Sequence, residues 1–259
     1  KDYVTSSSSY AQDSRDNAGA YAQHQASFGA VDTSLSLRSD KDQAFGRRTT
    51  GNTAIGYAAT DKLRLTASYG TAYKAPTFNG LYWPYTVDVY PPLTFITQGN
   101  LNLQPEESQS SELGFAYKAS TLTQLRVNVF RTRIRNLIEW VDGMPAADTF
   151  TYMPENVASV QIDGIETRFD TRLAGVDTHM SYTWIDPRDL DNDKRLIRRA
   201  RNTFKLQLDR KIGKLALGAN CLVQDDRYND AANLVILDGY ALVGVHAQYD
   251  FASHWWLRT

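Results

Sequence analysis

Few residues in this chain have the type and spacing that bond chemistry needs. The four histidines, His24, His179, His246 and His254, lie on separate segments, and no pair has the spacing of a zinc site. Neither H-E-x-x-H nor G-x-S-x-G occurs. A catalytic histidine needs an oriented partner within hydrogen-bond reach, and nothing local in the sequence supplies one. The single cysteine, Cys221, excludes an intrachain disulfide and a cysteine-built metal cluster, and reads as a small packing residue on a strand. Asp189-Leu190-Asp191-Asn192-Asp193 begins like a calcium loop. Lys194 then stands where that loop needs glycine and Ala200 where it needs glutamate, so the run reads as an exposed acidic turn. No catalytic residue, metal ligand or cofactor is expected in this segment. Groups suited to binding are more plentiful. The stretch from Ala75 to Glu107 carries Phe78, Leu81, Tyr82, Trp83, Tyr85, Tyr90, Leu93, Phe95 and Ile96. Exposed links rarely hold so many large apolar groups without a partner surface.

The elements that must position these groups are strands. Of 259 residues, 15 are Tyr and only 3 Met, a bias toward strand formers. With 28 basic against 29 acidic side chains, the chain lacks the cationic excess of a nucleic-acid binder. Its apolar runs are too short for a membrane-spanning helix, whereas a spanning β-barrel hides within ordinary composition. Period-two alternation recurs. Leu63, Leu65, Ala67 and Tyr69 alternate with Arg64, Thr66, Ser68 and Gly70; Ile165, Thr167, Phe169 and Thr171 alternate with Glu166, Arg168, Asp170 and Arg172.

A soluble sandwich would alternate in the same way, so the connections decide. Short links near 27–30, 59–62, 119–124, 174–177, 210–214 and 250–254 alternate with longer ones at 39–48, 75–107, 141–161, 185–199 and 224–239. That order belongs to an up-and-down barrel with tight turns at one rim and loops at the other. The strands fall at 17–26, 31–38, 49–58, 63–74, 108–118, 125–140, 162–173, 178–185, 200–209, 215–224 and 240–249, with another beginning at Trp255. Tyr69, Tyr73, Tyr117, Trp140, Tyr182, Trp184, Tyr228, Tyr249, Trp255 and Trp256 read as headgroup-level girdles. The Glu/Arg/Asp row suits a wet or plugged lumen. The fold class is therefore all-β, an antiparallel up-and-down transmembrane barrel. The chain opens at Lys1-Asp2-Tyr3 without an initiator methionine and stops within a strand, so it reads as a fragment whose sheet should show two free edges.

Several segments carry a family resemblance. Tyr69-Gly70-Thr71-Ala72-Tyr73-Lys74-Ala75-Pro76-Thr77-Phe78 is followed by Gly99-Asn100-Leu101-Asn102-Leu103-Gln104-Pro105-Glu106, then Ser111-Glu112-Leu113-Gly114, Arg135-Asn136-Leu137-Ile138, Asn156 and Gly164-Ile165-Glu166. In order and register they resemble the TonB-dependent outer-membrane receptors. Trp184-Ile185-Asp186-Pro187-Arg188-Asp189, Leu196-Ile197-Arg198-Arg199-Ala200-Arg201 and Asp226-Arg227-Tyr228-Asn229-Asp230 are most similar to the cobalamin receptors of that family.

The resemblance implies a barrel of about 22 strands around a plug, in the outer membrane of a Gram-negative bacterium. Residues 1–259 would supply the C-terminal part of that barrel; plug, TonB box and last strand would be absent. It implies cobalamin as cargo, outer-membrane lipid and lipopolysaccharide around the wall, and the TonB complex as partner through the missing N-terminal part. Calcium would belong to missing early strands. Tyr82, Trp83, Tyr85 and Tyr90 would offer faces to the corrin ring, with Asn79 and Asn100 as polar anchors; packing of the long link on itself is the other reading. One of Arg198 and Arg199, at the start of a strand where neighbours face opposite ways, would bond the ligand's amide rim or else pair with a plug or wall carboxylate. A siderophore or haem receptor keeps the class with another cargo, and a passive porin or adhesin barrel is the alternative of another class.

Overall fold

The computed structural model describes residues 1–157, 159–252 and 255–259. Its body is one 12-stranded sheet in which each strand pairs antiparallel with the next. The strands are β1 (Asn17–Phe28), β2 (Val31–Asp42), β3 (Gly46–Ala58), β4 (Leu63–Lys74), β5 (Glu106–Ser120), β6 (Thr123–Arg135), β7 (Val160–Leu173), β8 (Val176–Asp189), β9 (Asn202–Ile212), β10 (Leu215–Gln224), β11 (Tyr240–Ala252) and β12 (Trp255–Arg258). The sheet does not close on itself, so β1 and β12 are its two edges.

The alternation becomes two faces through the register. Val31, Tyr57, Leu65, Phe115, Val127, Thr167, Tyr182, Phe204 and Val223 stand opposite one another in a single row across nine strands. One residue along, Thr66, Gly114, Asn128, Glu166, Thr183, Thr203 and Gln224 form a row on the other face. Among the described residues no second layer covers the apolar face: Leu113 is 65 % exposed and Val245 79 %. Among the described residues the buried apolar ones are Leu81, Leu103, Leu137, Val160 and Leu196, all at the rim that carries the long links. A sandwich would bury its Leu/Val/Tyr rows, so this sheet needs lipid on its apolar side. At about 3.4 Å per residue, a 12-residue strand such as β4 runs roughly 40 Å and, tilted about 40°, crosses roughly 30 Å, the thickness of a bilayer core.

The short links are tight turns. Ala174 and Gly175, both at positive φ (51° and 76°), join β7 to β8 as a two-residue hairpin. The link expected at 39–48 contracts to three residues, because β2 and β3 stay paired well past their apolar stretch. Asp42 closes that turn by accepting the amides of Ala44 (2.8 Å) and Phe45 (3.1 Å). The strand expected at 125–140 ends instead at Arg135. Asn136 takes a left-handed φ of 56°, which asparagine tolerates, and the chain leaves the sheet. Trp140 and Tyr228, expected in the girdles, therefore stand on elements of the long-link rim.

Candidate functional site

Two of the long links fold into a second sheet. Strands Leu137–Ala146, Thr149–Val157, Leu93–Thr97 and Thr86–Tyr90 lie side by side in that order, with parallel pairing between Thr149–Val157 and Leu93–Thr97. Leu137 packs on Val160, Ile134 and Ile162, which occupy the polar-face register of β6 and β7, so the small sheet is anchored on the lumen side of the wall. A short helix, Phe78–Tyr82, precedes it, capped by the Thr77 hydroxyl accepting from the Gly80 amide. Gly99 passes so close to this turn that a Cβ would sit 2.6 Å from the Leu81 carbonyl oxygen and the Trp83 nitrogen.

The residues that carry the family resemblance form a clasp between the two links. The Asn156 amide donates to the carbonyls of Gln104 (2.9 Å) and Asn136 (2.8 Å), and its oxygen accepts the Gln104 N–H at 2.7 Å. Glu106 accepts the Ile138 amide at 3.0 Å and also holds Lys74.

One face of the small sheet is an aromatic ladder. Tyr90, Phe95 and Phe150 follow one another at centroid distances of 6.2 and 5.3 Å. Two residues along the same strand face, Tyr152 meets Trp140 at 5.0 Å, Trp140 meets Trp83 edge-on at 6.3 Å, and Trp83 meets Tyr10 at 6.4 Å. Tyr90 is 67 % exposed, and Tyr152 and Phe95 are exposed as well. A surface of this kind receives a large flat ligand with apolar faces.

The residues singled out in the sequence divide between scaffold and surface. Asn79 accepts the Tyr10 hydroxyl at 2.8 Å, and the Tyr82 hydroxyl donates to Gln12 at 2.9 Å. Asn100 donates to the Pro154 carbonyl and accepts from the Asn102 amide. Trp83 is held between Tyr10 and Trp140. Tyr85 and Tyr90 stay open to solvent. Arg198 and Arg199 do not open a strand. They lie in the turn before β9, Arg198 at φ 57°, so strand alternation does not set their directions. The Arg198 amide donates to the Tyr228 carbonyl and its Nε to Asn229. Burial pushes the Glu139 carboxyl above the usual range; the Arg199 charge pulls it back in part, while Asp189 and Glu106 add to the rise. Phe150 and Tyr152 belong to the ladder although the sequence reading leaves them in a link, and Trp140, read there as a girdle residue, belongs to the ladder instead.

The histidines gain partners from the fold. His179 Nδ1 lies 2.6 Å from Asp170 on the neighbouring strand, and His246 Nε2 lies 3.2 Å from Asp209 two strands away, across Gly218; both pairs are on the polar face and both are invisible in sequence, since only the register brings the partners together. Among the described residues, neither pair is hydrogen-bonded to a serine, threonine or cysteine side chain. His24 lies on β1, and His254 is outside the described residues. Asp189 accepts from the Asp191 amide and Asn192, and Asp193 pairs with Arg188, so the acidic run is spent on closing its own turn. No cluster of three or more metal-ligating side chains occurs among the described residues.

A family model for the β-barrel of TonB dependent receptor-like proteins matches residues 1–259. The chain belongs to this family. The TonB-dependent receptor barrel is an outer-membrane fold, which accounts for the naked apolar face. The long-link rim is its extracellular side. A vitamin B12 transporter from Vibrio vulnificus is 33% identical over 93% of this chain and 36% of its own length. Another from Photobacterium profundum is 31% identical over 93% of the chain and 38% of that protein. The chain thus spans little more than a third of these relatives. Among solved structures, the siderophore receptor PirA of Acinetobacter baumannii superposes with a TM-score of 0.74 at 19% identity, covering 92% of this chain and 40% of that one. The ferric enterobactin receptor PfeA of Pseudomonas aeruginosa gives 0.73 at 22% identity, covering 92% and 38%. At these identities the structural likeness speaks for the fold alone.

Proposed function

We propose that this chain is the C-terminal part of the barrel of an outer-membrane importer that captures cobalamin at its extracellular loops and draws on TonB-transduced energy to pass it inward. The plug and the TonB box are assigned to other parts of the protein, and no bond chemistry is assigned to this one. The relatives named above as vitamin B12 transporters support the cargo. The observation that carries it is the charge of the loop sheet.

From 75 to 105 and from 136 to 159 there is no lysine or arginine, while Asp88, Glu139, Asp142, Asp148 and Glu155 supply negative charge. An iron–catecholate chelate is itself strongly anionic and calls for cations at its site. Cobalamin is a large, flat chelate with apolar ring faces and a rim of amides, whose N–H groups donate to carboxylates and carbonyls. The ladder and the acid-only loop sheet suit the second cargo and disfavour the first. Of the nearby arginines, Arg195 lies over the Tyr228 ring at 5.8 Å, Arg198 is on Asn229 and Arg201 beside Asp186, while the Arg199 charge acts on Glu139 of the loop sheet.

Thermal melting of the full-length receptor with cyanocobalamin and with ferric enterobactin tests the reading, since a ligand stabilises the state it binds. A rise with cyanocobalamin alone is expected. A rise with the iron chelate alone would replace the cargo and keep the class.

A further inference from the structure

The lumen side of the wall carries a charge arrangement that capture at the loops does not use. One polar-face row runs Arg64, Ala116, Arg126, Arg168, Ser181 and Lys205, each directly opposite the next from β4 to β9. It holds four cations and no carboxylate. Counted from the short turn that bounds each strand, Arg64 stands one residue up, Arg126 three, Arg168 five and Lys205 seven. The row is therefore a stair, and each cation stands roughly 7 Å farther along its strand than the one before. Arg64 is paired with Asp32 at 2.6 Å and Arg168 with Asp170 at 3.0 Å. Arg126 bonds the neutral Gln124, and among the described residues no ion pair engages Arg126 or Lys205. Arg126 and Arg168 face each other directly, a placement that destabilises a sheet unless an anion joins them. Arg168 meets Asp170 through Nε, which leaves its two Nη groups to turn elsewhere.

A hollow of about 370 Å³ opens on this face between Arg168 and Lys205. Its polar lining is Arg168, His179, Ser181, Lys205, Gln207 and Asn220, again without a carboxylate. The acids nearby lie outside it. Asp170 holds His179 Nδ1 at 2.6 Å, Asp209 accepts the Gln207 amide at 2.8 Å, and Glu166 is the next polar-face residue of β7 toward the loops. Two cations, a hydroxyl and an amide side chain around one small space suit a tetrahedral monoanion, whose oxygens take charge-assisted bonds from each. Successive Arg and Lys side chains along a lumen are also how a pore guides phosphate.

We propose that this hollow is a transit site for the phosphodiester of the cargo. Lys205 and Arg168 take the phosphate as the ligand leaves the loops, and Arg126 and Arg64 lead it down the stair. The inference rests on the cobalamin reading, whose cargo carries a single phosphodiester between corrin and nucleotide. It concerns passage rather than capture, so the loop surface is unaffected by it. A polyanionic iron–catecholate is disfavoured at the acid-only loop sheet before it reaches the stair.

The test measures TonB-dependent uptake by cells carrying the full-length receptor. The two probes are labelled cyanocobalamin and labelled cobinamide, the same corrin without phosphodiester and nucleotide. Equilibrium binding of both to the purified receptor is read alongside. K205Q/R126Q should slow cyanocobalamin uptake at least threefold and K205E/R126E at least tenfold, with cobinamide uptake within twofold of wild type. Cyanocobalamin affinity should stay within twofold, and K205R/R126K should restore its uptake. An equal fall for both corrins would overturn the proposal, because cations that only seat the plug would give that result. Unchanged cyanocobalamin uptake in K205E/R126E would overturn it as well. A folded wild-type receptor that neither binds nor imports either corrin would overturn the cargo reading, and the transit site with it.

Discussion

Trp140 is the residue on which the aromatic ladder turns. It touches Tyr152 at 5.0 Å on one side and Trp83 at 6.3 Å on the other, and through Trp83 it reaches Tyr10. Trp140→Ala removes two aromatic contacts, each worth about 0.5–1.5 kcal/mol beyond its buried area. The sum is roughly 1–3 kcal/mol, and the indole's own burial adds to it. This energy orders the loop sheet rather than the barrel, whose main-sheet pairing does not involve the Leu137–Ala146 strand. A ligand that needs the ordered sheet must then restore it from its own binding energy. At 1.4 kcal/mol per decade, cyanocobalamin affinity should fall about 5- to 150-fold. Titration calorimetry on the full-length receptor measures the fall, and the barrel's melting temperature should stay put. Trp140→Phe, which keeps a ring in place, should recover most of the loss. An affinity for W140A within twofold of wild type would refute the idea that the ladder shapes the ligand surface.

Three further outcomes follow from the same geometry. Asn156→Ala breaks contacts of 2.7, 2.8 and 2.9 Å and should loosen Leu93–Thr97 and Leu137–Ala146 together by about 1–3 kcal/mol in hydrogen exchange; loosening of one strand alone would contradict the clasp. Val245→Arg sets a charge on a position 79 % exposed to lipid and should cost about 2–4 kcal/mol in refolding into vesicles, whereas a neutral result would place Val245 away from the bilayer. Because burial raises Glu139 above its ordinary 4.5, its ionised form opposes the folded loops: they are most stable at low pH and lose stability as pH climbs past 4.5 toward the raised value. Glu139→Gln should flatten that slope in tryptophan-detected melting, and an unchanged slope would mean another group titrates.

The membrane-crossing part of the fold was legible in the sequence because the bilayer imposes the simplest pattern a strand can carry. Strands β4 and β10 fall at the residues that alternation marks, 63–74 and 215–224. Beyond the lipid the pattern fades while hydrogen bonding continues, so β2 runs to Asp42 rather than to Arg38. The loop sheet was hidden for a related reason. Thr86–Tyr90 and Leu93–Thr97 are five-residue strands with two prolines between them, and their stabilising partner, Thr149–Val157, lies more than fifty residues away. Aromatic richness announced a surface without revealing that Asn79, Tyr82, Trp83 and Asn100 build it while Tyr85 and Tyr90 face outward. Arg198 and Arg199 read as the start of a strand because nothing in Ile197-Arg198-Arg199 marks the left-handed turn that Arg198 adopts.

The parallel pairing of Leu93–Thr97 with Thr149–Val157 makes two distant stretches of chain a single plate, fastened at one corner by Asn156. Neither stretch can be exchanged alone, since a foreign 75–105 would meet no matching neighbour. A change of cargo by recombination, in nature or at the bench, therefore has to carry both stretches across together, and chimaeras that swap only one should assemble a sound wall beneath a disordered cap.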